Sequence, residues 1–192
     1  MAILFLGCTD VERNNVFDPG GNNYSYGGTF NDNRDGKIYK WVTVGNQTWM
    51  AENLNYNATG SRCYDNSTSN CDKYGKLYNW TTAKSACPSG WHLPTKTEWQ
   101  TLTSVGASYL KSNNKWNHGG NGTDDYGFTA LPGGYSYSSG YYFSDIGEGG
   151  YWWSNSEVNS DYAHYINMNN TNYTSWDYDS KSLLFSVRCV RS

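Results

Sequence analysis

Apolar positions along this chain follow first a strand period, then a helix period, and finally give way to an aromatic and polar mixture. From Ile38 to Val44 they alternate: Ile38, Lys40, Val42 and Val44 share one face, and Tyr39, Trp41 and Thr43 the other. Gly45-Asn46 is suited to a tight turn, and Gln47-Thr-Trp-Met50 resumes the extended pattern, so the segment predicts a β-hairpin. Over Leu77–Ala86 the period becomes helical, with Leu77, Trp80, Thr81 and Lys84 on related turns and Pro88-Ser-Gly90 as the stop. Thr95-Lys-Thr-Glu98 has the form of a capping box. The Thr95 hydroxyl accepts from the Glu98 amide and the Glu98 carboxylate reaches back, opening a second helix with Trp99 and Leu102 as its apolar stripe.

From Asp124 onward the pattern predicts short strands between glycine turns. These are Phe128–Leu131, ending at Pro132-Gly-Gly134; Tyr151–Ser156; Tyr162–Met168, with His164, Ile166 and Met168 on one face; and Leu183–Cys189, with Phe185, Val187 and Cys189 toward the core. Asn169–Ser180 shows no alternation and reads as a polar, aromatic loop. Residues 9–34, rich in Asn, Asp, Gly and Tyr, read as a tether, with the domain running from about Asp35 to residue 192. No internal repeat is visible.

Composition alters this picture in two ways. Hydrophobic residues reach only 37%, but aromatics supply 17%, with 18 Tyr and 9 Trp, so the core must be largely aromatic. The same side chains suit a wet binding surface. The net charge of -3 leaves no basic field, which argues against nucleic acid as a partner.

The five cysteines add a compartment. Cys63 and Cys71 flank a turn-rich segment that a short bridge would close, and Cys87 with Cys189 would fasten mid-chain to the last strand. Four cysteines allow three pairings, and sequence alone does not choose among them; reduced, buried thiols are the alternative. The fifth, Cys8, ends a short apolar run, Leu6-Gly7-Cys8, that resembles the end of a bacterial lipoprotein signal. Residues 1–8 are then the remnant of a signal, Cys8 the lipidated residue, and the address the outer membrane or cell surface, or secretion. The run is too short to span a bilayer and no basic region precedes it. An ordinary apolar N-terminus with a free thiol is the alternative, and the lipoprotein reading is preferred to it.

Several motifs together resemble one family. They are Asp35-Gly-Lys-Ile-Tyr39, Val44-Gly-Asn-Gln-Thr-Trp-Met-Ala-Glu-Asn-Leu54, Gly90-Trp-His-Leu-Pro-Thr-Lys-Thr-Glu-Trp99, Gly127-Phe-Thr-Ala-Leu-Pro-Gly-Gly134 and Ser186-Val-Arg-Cys-Val-Arg191. They resemble the Fibrobacter succinogenes major paralogous domain over about residues 35–192. The resemblance implies a surface-exposed or secreted bacterial protein, often lipid-anchored, with no established activity. It also implies an α+β, C-type lectin-like fold: two helices packed on small, mostly antiparallel sheets with long loops, stapled by disulfides. Leu93-Pro-Thr-Lys-Thr-Glu-Trp99 further resembles the formylglycine-generating enzymes of that fold, which use paired active-site cysteines. Here the late cysteine is Cys189, better used as the partner of Cys87, which argues against oxidase chemistry.

Other chemistry finds little support. The calcium-site triplets of lectins of this fold are absent. Asn121-Gly-Thr-Asp-Asp125 offers hard oxygen ligands for calcium, but a solvated turn accounts for the same residues. His92, His118 and His164 share no metal-ligand spacing. Asp145, Glu148 and Glu157 are scattered carboxylates with nothing to fix a glycosidase separation, so no catalytic residue is expected. Binding remains. Trp153, Asn155, Tyr165, Asn167, Tyr173, Trp176 and Tyr178 combine flat rings with amides and form the expected ligand surface, while Trp152 reads as core. The expected function is non-catalytic binding of a glycan or surface protein, with the membrane reached only through the lipid anchor. A structural coat or assembly role is the competing class. The Asn/Tyr/Ser/Asp/Thr content of residues 155–180 also resembles receptors diversified by retroelements, a lesser alternative beside a carbohydrate-active enzyme.

Overall fold

The computed structural model describes residues 27–137 and 140–191, an α+β arrangement dominated by strands. One sheet has four strands. β1 (Gly27–Asp32) pairs with β2 (Lys37–Val44), β2 pairs with β3 (Gln47–Met50) as the expected hairpin, and β11 (Val190–Arg191) closes on β3, all antiparallel. Gly45 takes a φ of +61° in the hairpin turn, a conformation glycine adopts without steric cost.

The expected tether over residues 9–34 is therefore shortened at its C-terminal end, because Gly27–Asp32 is a paired strand. Its glycines serve close approach rather than looseness: a Cβ on Gly28 would come within 2.9 Å of the Trp41 ring. Residues 9–26 of that segment, and Cys8, lie outside the described residues. Along β2 the buried parity changes. Tyr39 is buried in one core and Val44 in another, while Ile38 is 70% exposed, so the two faces of this sheet each cover a different core.

Four α-helices are described where two were expected: α1 (Thr68–Tyr74), α2 (Trp80–Ala86), α3 (Lys96–Thr103) and α4 (Ala107–Leu110). α1 begins within the turn-rich segment between Cys63 and Cys71 and runs past it to Tyr74. α2 starts three residues later than expected. The Asn79 side chain caps it by accepting from the Thr82 amide, while Leu77–Tyr78 forms β4, antiparallel to β10 (Phe185–Ser186). At α3 the capping box forms in both directions. Both favoured cysteine pairs are disulfides: Cys63–Cys71, with Cα atoms 5.0 Å apart, and Cys87–Cys189, with Cα atoms 5.9 Å apart.

The second sheet is mixed. β7 (Gly149–Glu157) is its centre. It pairs antiparallel with β8 (Tyr162–Asn169), which pairs antiparallel with β9 (Thr174–Ser180). On its other edge β7 meets β5 (Gly133–Ser136) and β10 in parallel, and β6 (Phe143–Ile146) pairs with β5. Three expectations change here. Asn169–Ser180 is not a loop, because Thr174–Ser180 is an edge strand. Phe128–Leu131 is not a strand: Thr129 sits at φ +54°, and its amide and hydroxyl both bond the Asp124 carboxylate at 2.7 Å. In Leu183–Cys189 only Phe185–Ser186 is a strand, and Leu184, Ser186 and Arg188 are as buried as Phe185, Val187 and Cys189.

Adjacent Trp152 and Trp153 on β7 point to opposite sides, into two cores. The first core includes Tyr39, Tyr78, Trp80, Trp153 and Phe185; the second includes Trp49, Trp99, Phe128, Trp152, Ile166 and Met168. Each of the six buried tryptophans donates its indole N–H to an oxygen acceptor. Asn53, 4% exposed, ties distant segments together. Its Oδ1 accepts from Trp152 Nε1 (2.8 Å) and from Arg188 Nε (3.1 Å) and Nη2 (2.9 Å), and its Nδ2 donates to the Tyr74 carbonyl (2.8 Å). Arg188 is fully buried and also donates to the carbonyls of Met50, Phe128 and Thr129; burial pushes its pKa down to about 9. Two of the sequence motifs, around Asn53 and around Arg188, thus meet in one buried network.

Candidate functional site: a tyrosine cleft

The register of β7, β8 and β9 sorts the expected ligand residues. Trp152, Ile166 and Trp176 stand opposite one another on one face; Trp153, Tyr165 and Asp177 stand on the other. The first face packs onto the second core, with Trp176 half-buried against it and Lys96 Nζ 6.0 Å above the Trp176 ring. Tyr178 lies on this face as well, 54% exposed, with edge contacts to Tyr162 and His164. Tyr173 precedes β9 and is 63% exposed. Asn155 is exposed, with its amide bonded to the Pro94 carbonyl. Asn167 spends its side chain within the sheet, donating to the Gly150 carbonyl and accepting from Ser175. Trp153 is corrected from ligand residue to core: it is fully buried and donates to the Tyr78 carbonyl at 2.8 Å. The seven expected residues do not form one patch.

Tyr165 does reach a concavity, a cleft of about 410 Å³. Tyr135, Tyr137, Tyr151 and Tyr165 wall it, buried Phe185 and Leu183 floor it, and Asp179, Ser180 and Ser182 add polar groups. The rings support one another. Tyr151 stacks on Phe185 at 5.6 Å, Tyr165 lies 4.7 Å from Phe185, Tyr135 meets Tyr151 edge-on at 5.0 Å, and Tyr137 lies 5.6 Å from Tyr135. Tyr151 is fixed by donating to Asp145 Oδ2 at 2.5 Å, while Ser144 donates to Oδ1 at 2.6 Å. The hydrogen bond with Tyr137, then burial, pushes Tyr135 up to about 12. Burial, then Asp177 and Asp179, pushes Tyr165 up to about 12, and burial with Asp145 pushes Tyr151 well up. These phenols stay protonated at neutral pH and can both donate and accept.

Sequence reasoning missed Tyr135, Tyr137 and Tyr151. Their signal was the odd-numbered parity of Tyr135-Ser-Tyr137 and Tyr151-Trp-Trp153, a strand alternation hidden by aromatics on both faces of β7.

The other titratable groups have local partners. Glu98 accepts from Thr95 and lies 2.7 Å from His92 Nε2; burial would raise its pKa, but these hydrogen bonds outweigh it and hold it low. Glu148 lies 2.9 Å from His118 Nε2, and Glu157 pairs with Lys181. With Asp145 bound by Tyr151, the three scattered carboxylates have separate partners. Asn121 and Asp124 are turn residues, Asn121 Oδ1 accepting from the Trp116 amide and Asp124 from Thr129. Among the described residues no three His, Cys, Asp or Glu side chains converge, and no helix is long and apolar enough to cross a membrane.

The edge strand β9 is closed by its own side chains. Asp177 Oδ1 accepts from the Tyr178 amide at 2.8 Å, and Asp179 Oδ1 from the Ser180 amide at 2.7 Å. These groups would otherwise template another strand, and charged residues on an edge discourage such pairing.

Fold and cleft define a disulfide-bonded α+β module with a polar aromatic concavity. The profile of the Fibrobacter succinogenes major domain family matches residues 42–191, and the chain belongs to that family. No curated protein and no solved structure matches it.

Proposed function

We propose that this chain is a non-catalytic binding module that takes a glycan in the tyrosine cleft. The observation that carries the reading is the cleft itself. Tyr137, Tyr151 and Tyr165 offer ring faces, and Asp179, Ser180 and Ser182 stand beside them as directional partners for sugar hydroxyls. Its volume suits a small ligand or the end of a chain. The bridge from Cys87, ahead of α3, to Cys189 near the end of the chain, with α2 and α3 against small sheets, supports a C-type lectin-like arrangement. The apolar run ending at Cys8 supports a lipid-anchored protein of the bacterial surface.

A glycan array probed with the full chain tests this. Binding is expected for wild type and for a Tyr173→Ala/Trp176→Ala double variant, and loss is expected for Tyr137→Ala, whose side chain is half exposed. A second reading, assembly with copies of itself or other surface proteins, is favoured by the exposed rings of Tyr162 and Tyr178 beside half-buried His164. Absence of any glycan binding, with self-association abolished by Tyr178→Ala, would replace the first reading by the second.

A further inference from the structure

We infer that the tyrosine cleft selects uncharged glycans and turns acidic sugars away; this rests on the glycan-binding reading above. The polar groups lining the cleft are phenols, hydroxyls and one carboxylate, and none of the described lining residues is Lys, Arg or His. The sequence places a cation within reach, since Lys181 stands between the lining residues Ser180 and Ser182. Its ammonium is committed elsewhere. It pairs with the Glu157 carboxylate, donates to the carbonyls of Asn159 (2.6 Å) and Ser160 (2.9 Å), and lies 4.5 Å over the Trp80 ring. The exposed Arg62 side chain packs against Gly140 and is not among the lining residues, and solvent ions screen it.

Carboxylates act on the phenols of the cleft. Asp177 and Asp179 act on Tyr165, and Asp145 acts on Tyr135 and Tyr151, in each case favouring the neutral phenol. Asp179 Oδ1 is engaged by the Ser180 amide, and its second oxygen is the acceptor for a sugar hydroxyl. A neutral pyranose brings such hydroxyl donors and an apolar ring face. A uronic acid brings a second carboxylate toward Asp179 with no lining cation to offset it. At a separation of about 7 Å and an effective dielectric of about 35, between that of a protein surface and that of bulk water, the repulsion lowers affinity by about tenfold.

The test is calorimetric titration of the full chain with array-selected neutral oligosaccharides and with uronic-acid oligosaccharides of the same length, at low and at high ionic strength. Wild type is expected to prefer the neutral ligands by about tenfold at low salt, with the gap shrinking at high salt. Asp179→Asn keeps an acceptor for the Ser180 amide while removing the charge, and should narrow the gap to about threefold or less. Tyr137→Ala should weaken both ligand classes together. Uronates binding as well as neutral glycans, or a gap unchanged in Asp179→Asn, overturns the charge selection and leaves the binding reading standing. No glycan binding to wild type overturns the binding reading, and the selection with it.

Discussion

The two sides of the β7–β8–β9 sheet are built from similar residues and end differently. One side presents Trp152, Ile166, Met168 and Trp176 to a sealed core; the other presents Trp153, Tyr151 and Tyr165, and only Trp153 is sealed. The difference lies in where each ring's polar atom goes. An indole has one donor, and each buried tryptophan places it on an oxygen acceptor, so the ring can be enclosed. A phenol donates and accepts, and a ring at the rim keeps capacity for a partner that comes from outside. On β7, tryptophan therefore fills the cores and tyrosine lines the opening.

The largest effect should come from breaking what both sides share. Replacing Cys87 and Cys189 by Ser frees a 102-residue separation, and the loop-closure argument puts the loss at about 4.7 kcal/mol. Phe185, the cleft floor, lies four residues from Cys189, so ligand binding should fall with stability. Denaturant unfolding with and without ligand measures both. The Cys63–Cys71 bridge, with a separation of 8, should cost only about 2.5 kcal/mol on the same argument. Asn53→Ala breaks the sealed side alone. It leaves the Trp152 indole and two Arg188 N–H groups without their acceptor, and should destabilise by about 3–4 kcal/mol in the same unfolding experiment.

A sharper contrast uses single rings. Tyr137→Ala should lower glycan affinity about tenfold, equal to about 1.4 kcal/mol, with little change in melting temperature. The Tyr173→Ala/Trp176→Ala variant should do the reverse, losing about 1–2 kcal/mol of stability while binding persists, because Trp176 packs on the second core. The smallest effect is a pH dependence with two signs. Burial lowers Lys111 to about 8 in the fold, so between about pH 8 and its ordinary 10.5 the unfolded chain binds more protons and stability rises. Tyr135 and Tyr165 are raised to about 12, so their contribution is whole below pH 10 and is lost as pH climbs from 10 through 12. Thermal melts from pH 7 to 12 should show a shallow rise and then a fall. Lys111→Met should remove the part of the rise that begins near pH 8; buried Arg188, lowered to about 9, keeps its own part above that.

Legibility in the sequence followed how local the cause was. The β2–β3 hairpin and the α3 capping box depend on a few adjacent residues and could be read directly. Leu77 and Tyr78 suited a helix by spacing, yet β10, more than a hundred residues later, claims them as a strand. β9 escaped because an edge strand with half-exposed faces needs no apolar alternation, and its aspartates, which read as loop residues, are what guard its edge. The proposed ligand surface rests on composition in the sequence, which does not give a place. Tyr165 and Trp176 lie close in sequence, and only the register of β8 against β9 shows that they face opposite ways.

The ends of the described chain, Gly27 in β1 and Arg191 in β11, both lie in the four-stranded sheet, and the cleft lies in the other. The consequence is mechanical. A pull on Gly27 loads β1 first, and β1 runs from an open end, where Gly27 faces Val42, to the turn after Asp32. Its hydrogen bonds break in succession, pair after pair, releasing roughly 20 Å of strand before the Asp32–Arg34 clasp is reached. Load at Arg191 meets its guanidinium between the Trp41 and Trp91 rings, then the covalent stop at Cys189. The weak zip gives way while the sheet that carries the cleft stays unstretched, so a pull on Gly27 is taken up before it reaches the tyrosines.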